Sequence, residues 1–175
     1  MKNRTHPAAV WILLGFISMI SMACSPLNVQ PGSAINFDAI IFLSSWTQSG
    51  NLQLTKGEYR ETVMPGAASQ IVVRLTDNVV VGKIGGKETA AVILVTNAGG
   101  SGTFYDLAFL IRKPQGWINT DVTHLGDRVK IYSLVFENKM IVVDLATQGP
   151  GDPMCCPRKR EIRRFVVADD RLTVY

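Results

Sequence analysis

Two cysteines stand side by side at Cys155-Cys156, within the stretch "GDPMCCPRKR" from Gly151 to Arg160, and the 175-residue chain holds only one other, Cys24. Adjacent thiols offer three chemistries. Joined to each other they make a vicinal disulfide, a rigid structural turn. Left reduced, they are two thiols of which one is buried. Presented to a partner, they are a redox or ligand-contacting site. Thiols tend to pair in an oxidising compartment. Neighbouring Cα atoms, however, lie about 3.8 Å apart across a trans peptide, below the ~4.4 Å minimum usual for a disulfide. A bridge between neighbours therefore distorts the backbone and is easier to reduce. Pro153 and Pro157 bracket the pair, and Pro157 biases Cys156 toward an extended conformation, which stiffens the loop. A thiolate gains stability from nearby cations, so Arg158, Lys159 and Arg160 speak for the redox reading.

Other chemistry-bearing residues are few. Apart from His6 near the N-terminus, the only histidine is His124. A Ser-His-Asp arrangement assembles in space rather than in sequence, but no "G-x-S-x-G" elbow is present, and a lone histidine in a strand is usually structural. Zinc needs about four N, O or S ligands, and Cys155, Cys156 and His124 would have to recruit another while two neighbouring thiols bite one ion. No metal or cofactor is implied. The glycine-rich "TNAGGSGTF", Thr96 to Phe104, joins two strands and has neither a following helix nor a lysine in the Walker place, so it reads as a wide hairpin. In "VGKIGGKET", Val81 stands where a phosphate loop needs glycine and Glu88 where it needs serine or threonine. The basic run "RKREIRR" carries Arg158, Lys159, Arg160, Arg163 and Arg164. It is either a contact for anionic head groups or an acidic polymer, or the solvated face of a strand.

The N-terminus says where these residues work. "MKNRTHPAAVWILLGFISMISMAC" has Lys2 and Arg4, an apolar run from Ala8 to Ile20, and small residues before Cys24: a signal peptide over 1–23. The run is short for a bilayer span of ~20 residues. Ala23-Cys24 reads as a lipobox, with Ser21 where leucine is usual, and Cys24 is taken as the lipidated residue. The alternative is ordinary cleavage after Ser21 and Ala23, with Cys24 free to pair with one of the other two cysteines. Residues 24–35, rich in proline and small residues, form a flexible tether. Removing Lys2 and Arg4 lowers the formal charge from +4 to +2, so a nucleic-acid partner is not implied.

The elements that must hold the candidates are strands. β-branched, period-two segments bounded by turn residues fill the chain from about residue 58 onward, and no long amphipathic helix follows the tether. Expected strands are "EYRETV", "SQIVVRL", "NVVVGKI", "AAVILVT", "TFYDLAFLIRK", "WINTDVTHL", "RVKIYSLVFE", "KMIVVDLAT", "EIRRFVVA" and "RLTVY", with short hairpins at "KPQG", "NK" and "DD". "NFDAIIFLSSW", Asn36 to Trp46, is either a short helix capped by Asn36 that packs Ile40, Ile41 and Trp46 on a sheet, or a further strand. The whole reads as a mainly β protein with one antiparallel domain over 36–175, a sandwich, barrel or strongly bent sheet, with at most one short N-terminal helix.

The blocks "TAAVILVTNAGGSGTFYDLAFLI" and "LGDRVKIYSLVFENKMIVVDLATQGPGDPMCCP" with the following basic strand resemble a family of uncharacterised bacterial secreted proteins and lipoproteins. The resemblance covers roughly Gly57 to Val167, and "DPMCCP" is its most specific part. Members often carry an aspartate-rich "GDLNGDG"-like turn before the "AAVILV" strand, which implies a calcium or Asx-turn loop. Here that stretch is "GKIGGKETA", with Lys83 and Lys87 and no aspartate, which argues against the ion. The resemblance implies export and a single β-rich domain, and no catalytic residues.

Three functions follow as expectations. The first is a non-enzymatic envelope protein, anchored in the membrane through lipid on Cys24, with a binding or structural role toward a protein or cell-wall partner. The second is a thiol-dependent redox sensor or enzyme using Cys155 or Cys156, with His124. The third is recognition of an acidic polymer or lipid by "RKREIRR".

Overall fold

The computed structural model describes residues 34–175. The expected signal peptide, Cys24 and most of the tether lie outside the described residues. Eleven strands carry the regular structure: β1 Ile41–Leu43, β2 Asn51–Gln53, β3 Glu58–Thr62, β4 Gln70–Ile84, β5 Lys87–Asn97, β6 Phe104–Lys113, β7 Gly116–Asp127, β8 Lys130–Glu137, β9 Met140–Thr147, β10 Lys159–Ala168 and β11 Arg171–Val174. Strands β3 to β7 pair in chain order into a five-stranded antiparallel sheet, and one of the molecule's sheets curls into half a barrel. Strands β8 to β11 form a four-stranded sheet, also in chain order, and β1 with β2 makes a small hairpin. The protein is mainly β and antiparallel, as the strand pattern and turn spacing require.

"AAVILV" and "LAFLI" are continuous apolar runs rather than clean alternations, because β5 and β6 are covered on both faces. Ala90, Val92, Leu94, Ala108 and Leu110 point into one core with Ile40, Phe42, Leu52 and Leu54 of the N-terminal segment. Ala91, Ile93, Leu107, Phe109 and Ile111 point into the other, with Ile141, Val143, Leu145 and Phe165 of the four-stranded sheet. The result is three layers with the five-stranded sheet in the middle. Each large side chain buried this way contributes about 1.5–3 kcal/mol.

The segment from Asn36 to Trp46 is neither of the two single elements expected. One 3₁₀ turn spans Phe37–Ala39, Asn36 makes no side-chain cap, and the chain then extends into β1. Ile40 and Phe42 are buried while Ile41 is 62% exposed. That is the period of a strand, so Ile41 does not join the packing expected of it. The side chain of Asn119 fastens this layer: its Oδ1 accepts from Leu43 N at 2.7 Å, and its Nδ2 donates to the carbonyls of Phe109 and Asp121. "SQIVVRL" and "NVVVGKI" are one strand, β4. They are joined through a wide bulge in which Thr76, Asp77 and Asn78 stand between the pairs Leu75↔Leu94 and Val79↔Val92.

The meander sorts its connections by end. At one end the turns are two residues each: Gly85-Gly86, Pro114-Gln115, Asn138-Lys139 and Asp169-Asp170. Three of these have positive φ at both positions, the geometry whose twist matches that of the flanking strands. At the other end lie the longer connections 63–69, 98–103 and 148–158, and the corner Arg128-Val129 by which the chain leaves one sheet for the other. β4 touches β8, and at that contact Gly82 gives room: a Cβ there would stand 2.6 Å from the ring of Phe136.

Candidate functional site

A groove of about 740 Å³ lies at the end with the long connections. Its size is within the roughly 300–1,000 Å³ of small-molecule sites. Thr76 and Asn78 of β4, and Thr103 and Tyr105 at the start of β6, form one side; Arg128, Lys130 and Tyr132 at the sheet-to-sheet corner form the other. Cys155, Cys156 and Pro157 close it. Three strand irregularities meet here. The β4 bulge contributes Thr76 and Asn78; a shift beside Tyr105 lies where β6 meets β7; and Tyr132 is the extra residue of β8 between the pairs Ile131↔Leu145 and Ser133↔Asp144. Bulges bend strands and re-aim side chains, and they gather next to functional sites.

The sulfur atoms of Cys155 and Cys156 are joined to each other, and both residues are exposed. Their loop is held from below. Asp152 accepts hydrogen bonds from Gly149 N and Arg158 N, each at 2.8 Å, and Cys156 N donates to Pro153 O at 2.9 Å. The N–H groups of Gly149 and then Arg158 hold the Asp152 carboxyl below its ordinary range, because they favour the charged form.

Two side chains mount Tyr132. Lys130 Nζ lies 5.1 Å and Arg160 Cζ 4.7 Å from the centre of its ring, within cation–π range. Arg160 is in turn clamped by both oxygens of Asp144, at 2.9 and 2.6 Å. Hydrogen bonding to Arg160 holds the Asp144 carboxyl low. Arg128 is also committed: its Nη1 donates to Asp127 Oδ2 at 2.9 Å and its Nη2 to Ser101 O at 2.6 Å. This contact, with the Asn97 side chain bonded to Gly99 N and Gly100 O, makes "TNAGGSGTF" a braced hairpin.

The basic run is divided by its strand. Alternation puts Arg160 and Arg164 on the outer face of β10, and Lys159 and Arg163 on the side of the buried Phe165. Arg163 is half-buried and donates to Glu161 and to Leu125 O at 2.7 Å, while Lys159 lies 3.5 Å from Glu161. Arg158 and Arg164 pair with no carboxylate among the described residues.

His124 belongs to a different cluster. Its Nδ1 is 2.8 Å from Asp106 Oδ1, and the indole of Trp46 donates to Asp106 Oδ2 at 2.7 Å. Trp46 stacks on Phe104 with centroids 4.1 Å apart. Phe104 folds back over Gly102, where a Cβ would meet its ring at 2.6 Å. The bulge opposite Tyr105 makes this possible: Leu125 turns into the core, so that His124 rather than Leu125 stands opposite Asp106. With Nδ1 on Asp106, Nε2 is the ring nitrogen without a hydrogen-bond partner among the described residues. A hydrolase triad would need a nucleophile on that nitrogen; among the described residues no hydroxyl or thiol is hydrogen-bonded to His124. The cluster therefore ties the 44–50 loop to the sheet. Trp46 packs against the core as expected, but its bond to Asp106 was not foreseen, although an aspartate within "YDLAFLI" was itself a signal, since a buried polar group requires partners.

No family model matches the chain, and neither any curated protein nor any solved structure does.

Proposed function

We propose that the protein is an exported bacterial envelope protein, anchored by lipid on Cys24, whose β domain is a non-enzymatic binding module that takes its ligand in the groove beside Cys155-Cys156. The observation that carries this reading is the convergence of three strand irregularities on one groove, with both tyrosines on its wall. Of the four ladder irregularities three gather at this groove, the fourth lying at Thr120 of β7, and bends of this kind re-aim side chains where a ligand would sit. The signal-peptide pattern and the resemblance to secreted proteins and lipoproteins support export and anchoring.

Two measurements test it. Mass spectrometry of the N-terminal peptide from the native host should find Cys24 acylated, and an unmodified Cys24 removes the anchor. Thermal melting of the full chain with a detergent extract of host envelope should show a raised Tm that Tyr132→Ala abolishes and His124→Ala keeps. No shift, or a shift that ignores Tyr132, overturns the binding reading.

The exposure of the cysteine pair on the groove wall favours a second reading, a redox sensor. A dithiol reductant would give two electrons and two protons to the bridge and become a disulfide itself. Envelope-level dithiol that leaves the bridge intact excludes this.

A further inference from the structure

We infer that the groove recognises a carboxylate-bearing sugar, a uronic acid within an oligosaccharide; this deepens the binding reading and rests on it. Charge comes first. No Asp or Glu lines the groove, while Arg128 and Lys130 do. Arg128 is spent on Asp127 and Ser101, and Arg160 beside Tyr132 is spent on Asp144. Of these three cations Lys130 alone pairs with no carboxylate among the described residues, its one contact being the Tyr132 ring. One ammonium without a carboxylate partner supplies one positive charge, which balances a single carboxylate and leaves part of a phosphate's charge unmet.

The remaining wall fits a hydroxylated ring. Tyr105, and the part of the Tyr132 ring that Arg160 and Lys130 do not cover, offer flat surface that packs against the C–H face of a pyranose. Pro157 and the two sulfurs extend that apolar surface, sulfur being polarizable and tolerant of shape. The hydroxyls of Tyr105, Tyr132 and Thr103 make no hydrogen bond to another described residue, so they remain for sugar hydroxyls. Tyr132 is fixed in advance by the chain Asp144, Arg160, ring, so little ordering is left to be lost on binding.

The test is calorimetry on the full chain in detergent, with tetragalacturonate as the acidic sugar, its methyl ester as the neutral twin, and tetra-aspartate and inorganic phosphate as sugar-free anions. Tetragalacturonate should bind at least ten-fold tighter than each of the other three. Lys130→Gln and Tyr132→Ala should each weaken it ten-fold or more, and Tyr132→Phe, which keeps the ring, by less. Equal Tm values for the free variants and the unaltered chain confirm that the loss is one of binding. Equal affinity for the ester overturns the carboxylate, and equal affinity for tetra-aspartate or phosphate overturns the sugar. No binding by tetragalacturonate overturns the inference outright. If envelope extract still raises Tm through Tyr132 in that last case, the groove binds something else and the wider reading survives.

Discussion

The two ends of the sandwich are built from the same strands and do opposite things. At the tight-turn end, Asp170 holds Lys87 at 2.8 Å and Lys113 at 3.3 Å, Thr120 Oγ1 donates to Asp170 O, and Asp121 accepts from Leu172 N. Polar groups there are spent on each other and stitch β11 to β7. At the long-loop end three ladder irregularities gather, Lys130 has no carboxylate partner among the described residues, and two tyrosines face a groove. A displaced residue re-aims its side chain: at the tight end Thr120, the extra residue of β7, spends its hydroxyl on Asp170, whereas at the other end Tyr132 turns to the groove. Stability should therefore reside in the centre and the tight end, and binding at the bulged end.

The sharpest way to break this contrast is to cut one ring from each region. Phe109 is fully buried between the sheets, so Phe109→Ala should cost about 3–5 kcal/mol in a denaturant melt. Tyr132→Ala, at a 45% exposed position, should cost less than about 1 kcal/mol, as surface changes do. Comparable losses would make the groove a structural element. Gly82 tests the seam between the sheets. Gly82→Val drives a side chain into Phe136, and overpacking of this kind costs about 1–3 kcal/mol. Phe136→Leu in the same chain should recover part of it, and failure to recover would mean that the seam is not where the strain falls.

The contrast between the ends was only partly visible in the sequence. The dipeptides Asn138-Lys139 and Asp169-Asp170 announced tight turns, because asparagine and aspartate tolerate positive φ, and "AAVILV" announced a central strand. β8 carried a further sign. Its inward residues run Val129, Ile131, then Leu134, Phe136, and that change of phase is the bulge at Tyr132. Strand assignment by alternation passes over a single slip of this kind. The Asp106 cluster was out of reach for a different reason: Trp46 and Asp106 are 60 residues apart, and only the folded layer brings the indole to the carboxylate. The groove likewise joins loops distant in the chain, so the cysteine motif was legible and its surroundings were not.

That cluster supplies the next test. Asp106 is only 6% exposed, and Trp46→Phe keeps the stack on Phe104 while removing the N–H that satisfies Oδ2. A buried acceptor left without its donor costs about 1–3 kcal/mol. The loss should appear in the melt and leave ligand binding at the groove unchanged. A change in groove affinity would show that the 44–50 loop and the groove are coupled, against the separation argued above.

The smallest effect should be the most local. Asp152 latches the cysteine loop through two backbone N–H groups that hold its pKa below the ordinary 3.8. A carboxyl whose folded value is depressed lends stability that is complete above the unfolded value and is lost as pH falls through the folded one. The loop should thus stay latched above pH 3.8 and loosen only below it. Pepsin cleavage near Met154, normalised to a free peptide of the same sequence, should rise in the unaltered chain as pH drops through this window. Asp152→Ala should be cut at the higher rate throughout, with no change in global Tm, because opening a surface loop need not involve the core. If the two chains are cut alike at every pH, the loop is held by its prolines and the turn from Pro153 to Cys156, and Asp152 is a bystander at the groove's edge.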